Sequence, residues 1–255
     1  MPARVRLVLD GPKPAGPHRH ADGLRAVVLA AIGRSDPALG RWLHDANQPK
    51  PIAVGPLEPG GNSGGSWAVE ISVTADEVLQ PLLDGLPRLR CPITLGRDRY
   101  ALRDARIVAA STFAGLSADL PTEPAIRLRL LTPTAHHQPG TVRRSIVVPD
   151  PRLYVGSWFG RWNLFADTRL DDALLSAVEE AVVISAFVGG TRAARLDGKR
   201  VFIGFVGDVE LRIIEADRTV APLAAALWSL ARFAEYCGTG VETMRGMGQT
   251  RIIRG

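Results

Sequence analysis

Glycine and arginine are concentrated in the C-terminal segment CGTGVETMRGMGQTRIIRG, residues 237–255. Glycine at this density costs backbone entropy, so either the chain turns sharply there or a ligand lies against bare main chain. Backbone N–H groups exposed at a helix end can bind phosphate. The spacing matches neither the G-x-G-x-x-G pattern of dinucleotide-binding folds nor the P-loop, which needs a lysine after its last glycine. The segment is therefore a candidate phosphate-binding loop of another kind, although Gly238 alone could simply end the preceding helix.

His44 and Lys50 form a second candidate group. His44 lies near the end of a short predicted helix, and Lys50 follows six residues later, before a predicted strand. An imidazole can move protons at physiological pH, and a lysine ammonium can stabilise charge that develops on a phosphate. A polar residue at a helix end is commonly only solvated, so the pair by itself does not define a site. The sequence shows no cluster of histidine and acidic residues at metal-ligand spacing.

The composition indicates a basic protein with a substantial core. The 255 residues are 46% hydrophobic and carry a formal net charge of +5, which fits one large or two small domains. The charge is mostly arginine, which suits contacts with phosphates and bases. Two cysteines are too few for a disulfide framework or a zinc site and indicate a reducing compartment. The apolar run at 26–32 is far shorter than the ~20 residues of a membrane span. We therefore expect a cytoplasmic protein without a membrane partner.

The first half of the chain predicts the element order βαββαβ with one additional short helix. Strands are indicated by alternating apolar and polar residues, and helices by apolar spacing and end signals such as Asp36 before Pro37. The predicted elements are a strand at 3–10, a helix at 21–34, a short helix after 36, strands at 51–57 and 66–74, a helix at 75–86, and one or two strands at 93–111.

The second half predicts the same order again. Its elements are a strand at 125–133, a helical region near 150–180, strands at 181–189 and 199–214, a helix at 220–236 and a strand at 249–254. Two such units predict an α+β protein of two tandem ferredoxin-like domains, each an antiparallel sheet with helices on one face. We place the domains at 1–118 and 119–255. RNA-recognition modules share this topology, which alone does not identify a function.

Several segments, in order along nearly the whole chain, resemble one known family. They are DGLRAVVLAAI, DPALGRWLHDANQPKPIAVGPL, RLRLLTPTA, PDPRLYVGSWFGRWNLFA, FIGFVGDVEL and LARFAEYCGTGVETMRGMGQTRI. The chain resembles the CRISPR-associated endoribonucleases that cut precursor CRISPR RNA within its repeats, which belong to the RAMP superfamily. The resemblance implies repeat RNA as the partner, a catalytic segment in the N-terminal domain, and a glycine-rich loop on the RNA-binding surface of the C-terminal domain.

The resemblance also implies which residues contact RNA. In the segment SWFGRWNLF the aromatic residues are expected to pack in the core and leave Arg161 facing RNA. The basic hairpin tip RAARLDGKR is expected to bind the repeat, although a charged solvent edge would look the same. The neighbouring pair His136 and His137 is expected in a solvated loop. The residues implied to bind RNA are Gly238, Gly240, Thr243, Arg245, Gly246, Gly248, Arg161, Arg192, Arg195, Lys199, Arg200 and Arg25.

For catalysis, the resemblance assigns His44 and Lys50 to the family's catalytic segment. It implies cleavage without a metal or cofactor, in which the RNA 2′-hydroxyl attacks the adjacent phosphorus and leaves a 2′,3′-cyclic phosphate and a 5′-hydroxyl. Some members carry a tyrosine as general base on the first helix, and Leu29 stands at the matching position. His20, just before that helix, is a substitute candidate. Arg25 lies one turn from Leu29 on the same helix face.

Two other functions remain open at this stage. A RAMP protein could hold CRISPR RNA within an effector complex without cutting it, together with other subunits of that complex, and Leu29 is consistent with this alternative. A nucleotide-binding enzyme that uses the glycine loop is the second alternative, which the lack of a P-loop lysine and of a dinucleotide fingerprint disfavours. The sequence also leaves open whether the protein forms a homodimer.

Overall fold

The computed structural model describes residues 1–45, 49–61, 65–138, 144–196, 200–214 and 220–254. The chain divides into two compact units. The N-terminal unit contains residues 1–110 together with 194–201 and 244–246, and the C-terminal unit contains 111–193, 202–243 and 247–255. The domain division at 118 and 119 stays a prediction.

In its described residues the N-terminal unit contains a sheet and three α-helices. Its elements are β1 (Ala3–Asp10), α1 (Ala21–Ser35), α2 (Pro37–Asp45), β2 (Ile52–Val54), β3 (Glu58–Pro59), β4 (Ser66–Val73), α3 (Asp76–Gly85), β5 (Ile93–Leu95) and β6 (Asp98–Ala110). The sheet has the strand order β2-β4-β1-β6-β5, and β3 pairs with β4. Strands β2, β4, β1 and β6 pair antiparallel, which is the ferredoxin-like order.

The alternating burial along β1 shows that one face of this sheet lies in the core. Val5, Leu7 and Leu9 are at most 1% exposed, while the residues between them are half-buried. Because successive side chains of a strand point to opposite faces, one face of β1 belongs entirely to the core. Val28 and Ile32 of α1 and Leu82 of α3 are likewise at most 1% exposed.

The C-terminal unit repeats the topology. Its elements are α4 (Phe113–Leu116), β7 (Ala125–Thr134), β8 (His136–His137), β9 (Ser145–Ile146), α5 (Pro151–Phe165), α6 (Ala173–Ala181), β10 (Val182–Leu196), β11 (Arg200–Ile213), α7 (Val220–Cys237) and β12 (Thr250–Ile252). The sheet order is β10-β11-β7-β12, and β7 pairs antiparallel with β11 and β12. The predicted α+β fold of two ferredoxin-like units is thereby confirmed.

An aromatic cluster forms the core between α5 and α7. Trp158 is fully buried, and Trp162 and Phe233 are at most 3% exposed. The rings of Trp162 and Phe233 meet edge to face, with centroids 5.4 Å apart. The predicted core role of the segment SWFGRWNLF is therefore correct for its tryptophans. Trp158 also donates a hydrogen bond from Nε1 to the hydroxyl of Thr239, at 2.9 Å, so its polar atom is satisfied in the core.

The structure differs from the predicted elements mainly in short additions. The helical region near 150–180 is divided into α5 and α6, and β3, α4, β8 and β9 were not predicted. Two-residue strands and single helical turns carry too little periodicity to be recognised in a sequence. Within the part of the chain that the structure describes, no helix is long and apolar enough to cross a membrane.

Close packing of α1 on α3 depends on Gly85. A β-carbon at this position would overlap the carbonyl oxygen of Ala31. We expect Gly85→Ala to lower the free energy of unfolding by about 1–3 kcal/mol, the usual range for overpacking, as measured by urea denaturation. The control is Gly33→Ala in α1, whose β-carbon would lie 3.8 Å from Gly40 Cα, an ordinary contact. Equal stability of the two variants would contradict this packing.

Candidate active site

A cleft of about 460 Å³ in the N-terminal unit is the candidate active site. Helix α1 supplies one wall with residues at positions i, i+3, i+4 and i+7, which share one face of a helix. The lining residues are Asp22, Arg25, Ala26, Leu29, His44 and Arg245. The predicted catalytic His44 and the predicted RNA contacts Arg25 and Arg245 therefore lie at one place.

Helix α2 positions His44 at the cleft. The Asp36 carboxylate begins the helix by accepting hydrogen bonds from the backbone N–H groups of Ala38 and Leu39, at 3.0 and 2.9 Å. Leu43 is completely buried and anchors the last turn. The adjacent His44 side chain is 74% exposed. Its imidazole is therefore open to a substrate while its backbone is held firmly.

Asp45 orients the His44 ring. His44 Nδ1 lies 2.8 Å from a carboxylate oxygen of Asp45. An ionised carboxylate only accepts hydrogen bonds, so Nδ1 carries the proton and the neutral ring has Nε2 as its free base. Asp45 was not among the predicted site residues, although its place next to His44 was a usable signal.

Lys50 is tied to His44 through the main chain. Its ammonium donates a hydrogen bond to the carbonyl oxygen of His44, at 3.3 Å. Burial lowers the pKa of Lys50, and the positive charges of Arg25 and Arg245 lower it further. Three cations therefore lie close enough to influence one another, which is a suitable environment for a phosphate.

Asp22 binds two arginines, Arg245 of the cleft and Arg200 of β11. One of its carboxylate oxygens accepts a hydrogen bond from Arg245 Nε, and the other accepts one from Arg200 Nη2 at 3.1 Å. Asp22 was not among the predicted site residues. The signal was its spacing from Arg25 and Leu29, which places all three on one face of a predicted helix.

The structure gives less support for RNA binding by the other hairpin residues. Arg192 and Arg195 are exposed on β10, and Arg192 donates a hydrogen bond to the carbonyl oxygen of Thr191, at 3.2 Å. Lys199 lies outside the described residues. Their contacts with RNA remain predictions.

The prediction of His20 as a substitute base is wrong, because the residue is buried away from the cleft. It is 4% exposed and does not line the cleft. Its Nε2 lies 3.2 Å from the Tyr100 hydroxyl and 3.2 Å from an Asp98 carboxylate oxygen. Burial lowers the pKa of His20, against an opposing effect of Asp98. The residue packs and bonds the start of α1 onto β6, so it has no access to a substrate.

The C-terminal glycines hold a buried turn. Gly238, Gly240, Gly246 and Gly248 have φ angles of 71°, 78°, 83° and 67°, in the left-handed region that favours glycine. All four are buried. A β-carbon on Gly240 would overlap the carbonyl oxygen of Ala135. Positive φ and close packing explain the glycines without any ligand.

The backbone donors of three glycines are already engaged. The N–H of Gly238 bonds to the carbonyl oxygen of Ala234 at 2.9 Å, that of Gly248 to Pro133 at 3.1 Å, and that of Gly240 to the Ser157 hydroxyl at 2.9 Å. Thr243 is 7% exposed. The prediction that bare backbone of this loop cradles phosphate is wrong for these three glycines, because tertiary acceptors use their donors.

Arg161 is directed into the protein and not toward RNA. Its guanidinium donates to the carbonyl oxygen of Gly240 at 2.6 Å and to the carbonyl and hydroxyl oxygens of Ser157 at 3.1 and 2.6 Å. Burial lowers the pKa of Arg161. This arginine therefore fixes the glycine turn to α5, which corrects the expectation of an RNA-facing side chain.

His136 is also buried, contrary to the expected solvated loop. It is 7% exposed and stacks on Tyr154 with ring centroids 5.5 Å apart. Burial, together with the charge of Arg161, lowers the pKa of His136 to about 4. His137, the next residue, is exposed as expected. A strand places successive side chains on opposite faces, which separates the two histidines.

Among the described residues, no group of three or more histidine, cysteine or acidic side chains could hold a metal ion.

Comparison with known proteins agrees with the resemblance seen in the motifs. Residues 128–250 match the family model of the CRISPR-associated endoribonuclease Cas6. A product complex of Cas6 (TTHB231) superposes with a TM-score of 0.83 at 28% identity and covers 99% of this chain and 100% of that chain. Thermus thermophilus Cas6 (TTHB231) gives a TM-score of 0.76 at 27% identity, covering 99% and 98%.

A product complex of Cas6 (TTHA0078) has a TM-score of 0.78 at 25% identity and covers 99% of each chain. Comparison with curated protein sequences gives no significant match. Residues 128–250 thus match the Cas6 family model, and the whole chain is similar in fold to solved structures of Cas6.

The buried His136 predicts acid sensitivity of the C-terminal unit. A histidine whose folded pKa lies near 4 stabilises the fold above its unfolded pKa of about 6.5, and that stability is lost as the pH falls from there toward 4. We expect His136→Phe to remove a pH-dependent contribution on the order of 3 kcal/mol, measured by urea unfolding at about pH 7 and about pH 4.5. His137→Phe is the exposed control. Identical pH dependence in the parent and in His136→Phe would contradict the buried, neutral imidazole.

Proposed function

We propose that the protein is a metal-independent endoribonuclease that cuts precursor CRISPR RNA within its repeats. The observation that carries this proposal is the meeting of His44, Arg25 and Arg245 at one cleft, with Lys50 bonded to the main chain of His44. Similarity to the Cas6 family model supports an RNA substrate, as do the similar structures described as product complexes. Repeat RNA is accordingly the proposed substrate.

The proposed reaction is an internal transesterification of the RNA. The 2′-hydroxyl loses its proton and its oxygen bonds to the adjacent phosphorus. The bond from phosphorus to the 5′-oxygen of the next nucleotide breaks, and that oxygen takes up a proton. The products are a 2′,3′-cyclic phosphate and a 5′-hydroxyl, so that no water is consumed in this step and no metal needs to activate one.

His44 is the proposed proton-transfer residue. Of the described residues that line the cleft, His44 alone carries an imidazole, the side chain used most often for proton transfer. The carboxylate of Asp22 is bonded to two arginines. The Nε2 of His44 is the atom left available by the bond to Asp45. A neutral His44 can accept the 2′-hydroxyl proton, and a protonated one can donate to the leaving oxygen.

Lys50 and Arg25 are the proposed stabilisers of the pentacovalent phosphorus. Negative charge grows on the non-bridging oxygens as the 2′-oxygen attacks, and fixed cations lower the energy of that state more than that of the substrate. The hydrogen bond from Lys50 to the His44 carbonyl holds the ammonium at the main chain of the proposed proton-transfer residue. The two functions therefore act at the same phosphate.

A non-catalytic RNA-binding subunit is the alternative function. Leu29 lines the cleft at the position of the tyrosine found in some relatives, and its side chain can exchange no proton. In this case the same cations would hold repeat RNA for an effector complex without cutting it. Absence of cleavage by the parent protein, with retained RNA binding, would favour this function.

Removal of His44 separates cleavage from binding. We expect His44→Ala to reduce the single-turnover cleavage rate of a cognate repeat RNA by about 10²–10⁴-fold, the usual effect of losing a general acid or base. RNA affinity should change little, because one imidazole contributes little to phosphate-dominated binding. Lys50→Ala should also slow cleavage. The reactions contain EDTA, in which the parent should cut normally.

His137→Ala is the matched control, because this histidine is exposed and lies outside the cleft. Undiminished cutting by His44→Ala would move the active site elsewhere. Loss of parental activity in EDTA would contradict metal independence.

RNA binding should depend steeply on salt. Each phosphate contact to a single strand contributes a slope of about −0.7 in the logarithm of affinity against the logarithm of salt concentration. We expect Arg25→Ala to make the slope shallower by about 0.7, measured by fluorescence anisotropy with repeat RNA. Arg88→Ala, an exposed arginine outside the cleft, should leave the slope unchanged. Equal slopes for the parent and Arg25→Ala would show that Arg25 does not contact phosphate.

A further inference from the structure

Asp22 is an acidic residue in a cleft proposed to bind a polyanion. It lies in the first turn of α1 and lines the same cleft as His44. A carboxylate there repels RNA phosphates, so its presence needs a physical reason. The positive end of the helix dipole stabilises a carboxylate in the first turn. This explains why a carboxylate is tolerated there but gives it no function.

The two oxygens of the carboxylate bind two arginines from distant parts of the chain. Arg245 Nε donates to Oδ1 and Arg200 Nη2 donates to Oδ2, across sequence separations of 223 and 178 residues. The Arg245 side chain is only 18% exposed, against 56% for Arg200. The pair with Arg245 is thus the more enclosed of the two, and charged hydrogen bonds gain strength when they are partly removed from water.

Without Asp22 the cations of the cleft would repel one another. Arg25 and Arg245 already lower the pKa of Lys50 by their charge, which shows that the positive groups are close. Arginine has a long, flexible stem and would turn toward water unless a partner holds it. A single carboxylate between Arg200 and Arg245 offsets part of this repulsion and restrains the direction of each guanidinium.

We infer that Asp22 is a positioning residue for the cleavage reaction, acting by holding Arg245 beside His44 at the scissile phosphate. The inference rests on the proposed function, because it concerns the same cleft and the same substrate. Asp22 itself takes no proton and contacts no reacting atom. Its carboxylate fixes the Nε edge of Arg245, and this sets how the guanidinium meets the phosphate.

A purely electrostatic role would have the opposite consequence. If Asp22 only neutralised arginines, its removal would add positive potential to the cleft, tighten RNA binding and leave cleavage unchanged or faster. If Asp22 positions Arg245, its removal slows the chemical step even when binding is as tight as before. The sign of the change in cleavage rate therefore distinguishes the two.

The test is single-turnover cleavage of a cognate repeat RNA at saturating protein by the parent and by Asp22→Asn, which keeps the shape of the side chain. We expect the rate constant to fall by about 10- to 100-fold, as is typical when a group at the reacting centre is misplaced by about 1 Å. The dissociation constant should be unchanged or lower. Asp84→Asn, which removes an exposed carboxylate of α3 bonded to Gln80, is the charge-matched control and should cut like the parent.

A double-mutant cycle shows whether Asp22 acts through Arg245. Arg245→Ala should slow cleavage, and Asp22→Asn combined with Arg245→Ala should be no slower than Arg245→Ala alone, because coupled residues are not additive. Additive losses would mean that Asp22 acts on something else and would overturn the inference. Thermal unfolding of each variant shows that the protein is folded in the assay.

The remaining outcomes are also decisive. An Asp22→Asn variant that cuts at the parental rate or faster overturns the positioning role and leaves the proposed nuclease intact. A parent that binds repeat RNA without cutting it overturns the proposed function, and the positioning role falls with it.

Discussion

Repulsion among like charges is the constraint on which the candidate site depends. A cleft that binds an RNA phosphate needs several cations within a few ångströms of one another, and these cations destabilise the protein that gathers them. Here Lys50, Arg25 and Arg245 lie close enough for the two arginines to depress the lysine pKa. The carboxylate of Asp22 offsets part of this repulsion by binding Arg245 and Arg200, and it can do so because the start of α1 favours a negative charge.

Helices α1 and α2 set the positions of the cleft residues that they carry. Asp36 starts α2 and the buried Leu43 anchors its end, so that His44 is held at the cleft although its own side chain is exposed. The four cleft residues of α1 share one helix face. A rigid helix therefore sets the distances between groups that would otherwise drift apart, which is what positioned acid–base chemistry requires.

The fold could be predicted from the sequence because its signals are local. Strand β1 alternates with a period of two, and Asp36 followed by Pro37 marks the start of a helix, so elements of this kind can be found without tertiary contacts. The glycine turn could be predicted only in part. Glycine at four positions indicated positive φ or bare backbone, and the structure shows positive φ at all four. Whether the N–H groups face solvent or a protein acceptor depends on residues such as Pro133 and Ser157, far away in the sequence.

The same limit explains the errors at Arg161, His20 and His136. Each is a polar side chain in a segment whose periodicity did not show which face is buried. Each is bonded or stacked against residues from another element: Gly240 for Arg161, Tyr100 for His20 and Tyr154 for His136. Asp22 was missed for the converse reason, because a carboxylate in a basic protein does not look like part of an RNA-binding site until its arginine partners are seen.

The claim that the RNA supplies its own nucleophile is tested most directly with a repeat RNA that carries a single 2′-deoxynucleotide on the 5′ side of the scissile phosphate. The protein should bind this RNA as tightly as the unmodified repeat and should not cut it, because no 2′-oxygen is present to attack the phosphorus. Restoring the one hydroxyl should restore cleavage. Cleavage of the deoxy-substituted RNA at the same phosphate would contradict the mechanism, since water or a protein group would then have to be the nucleophile.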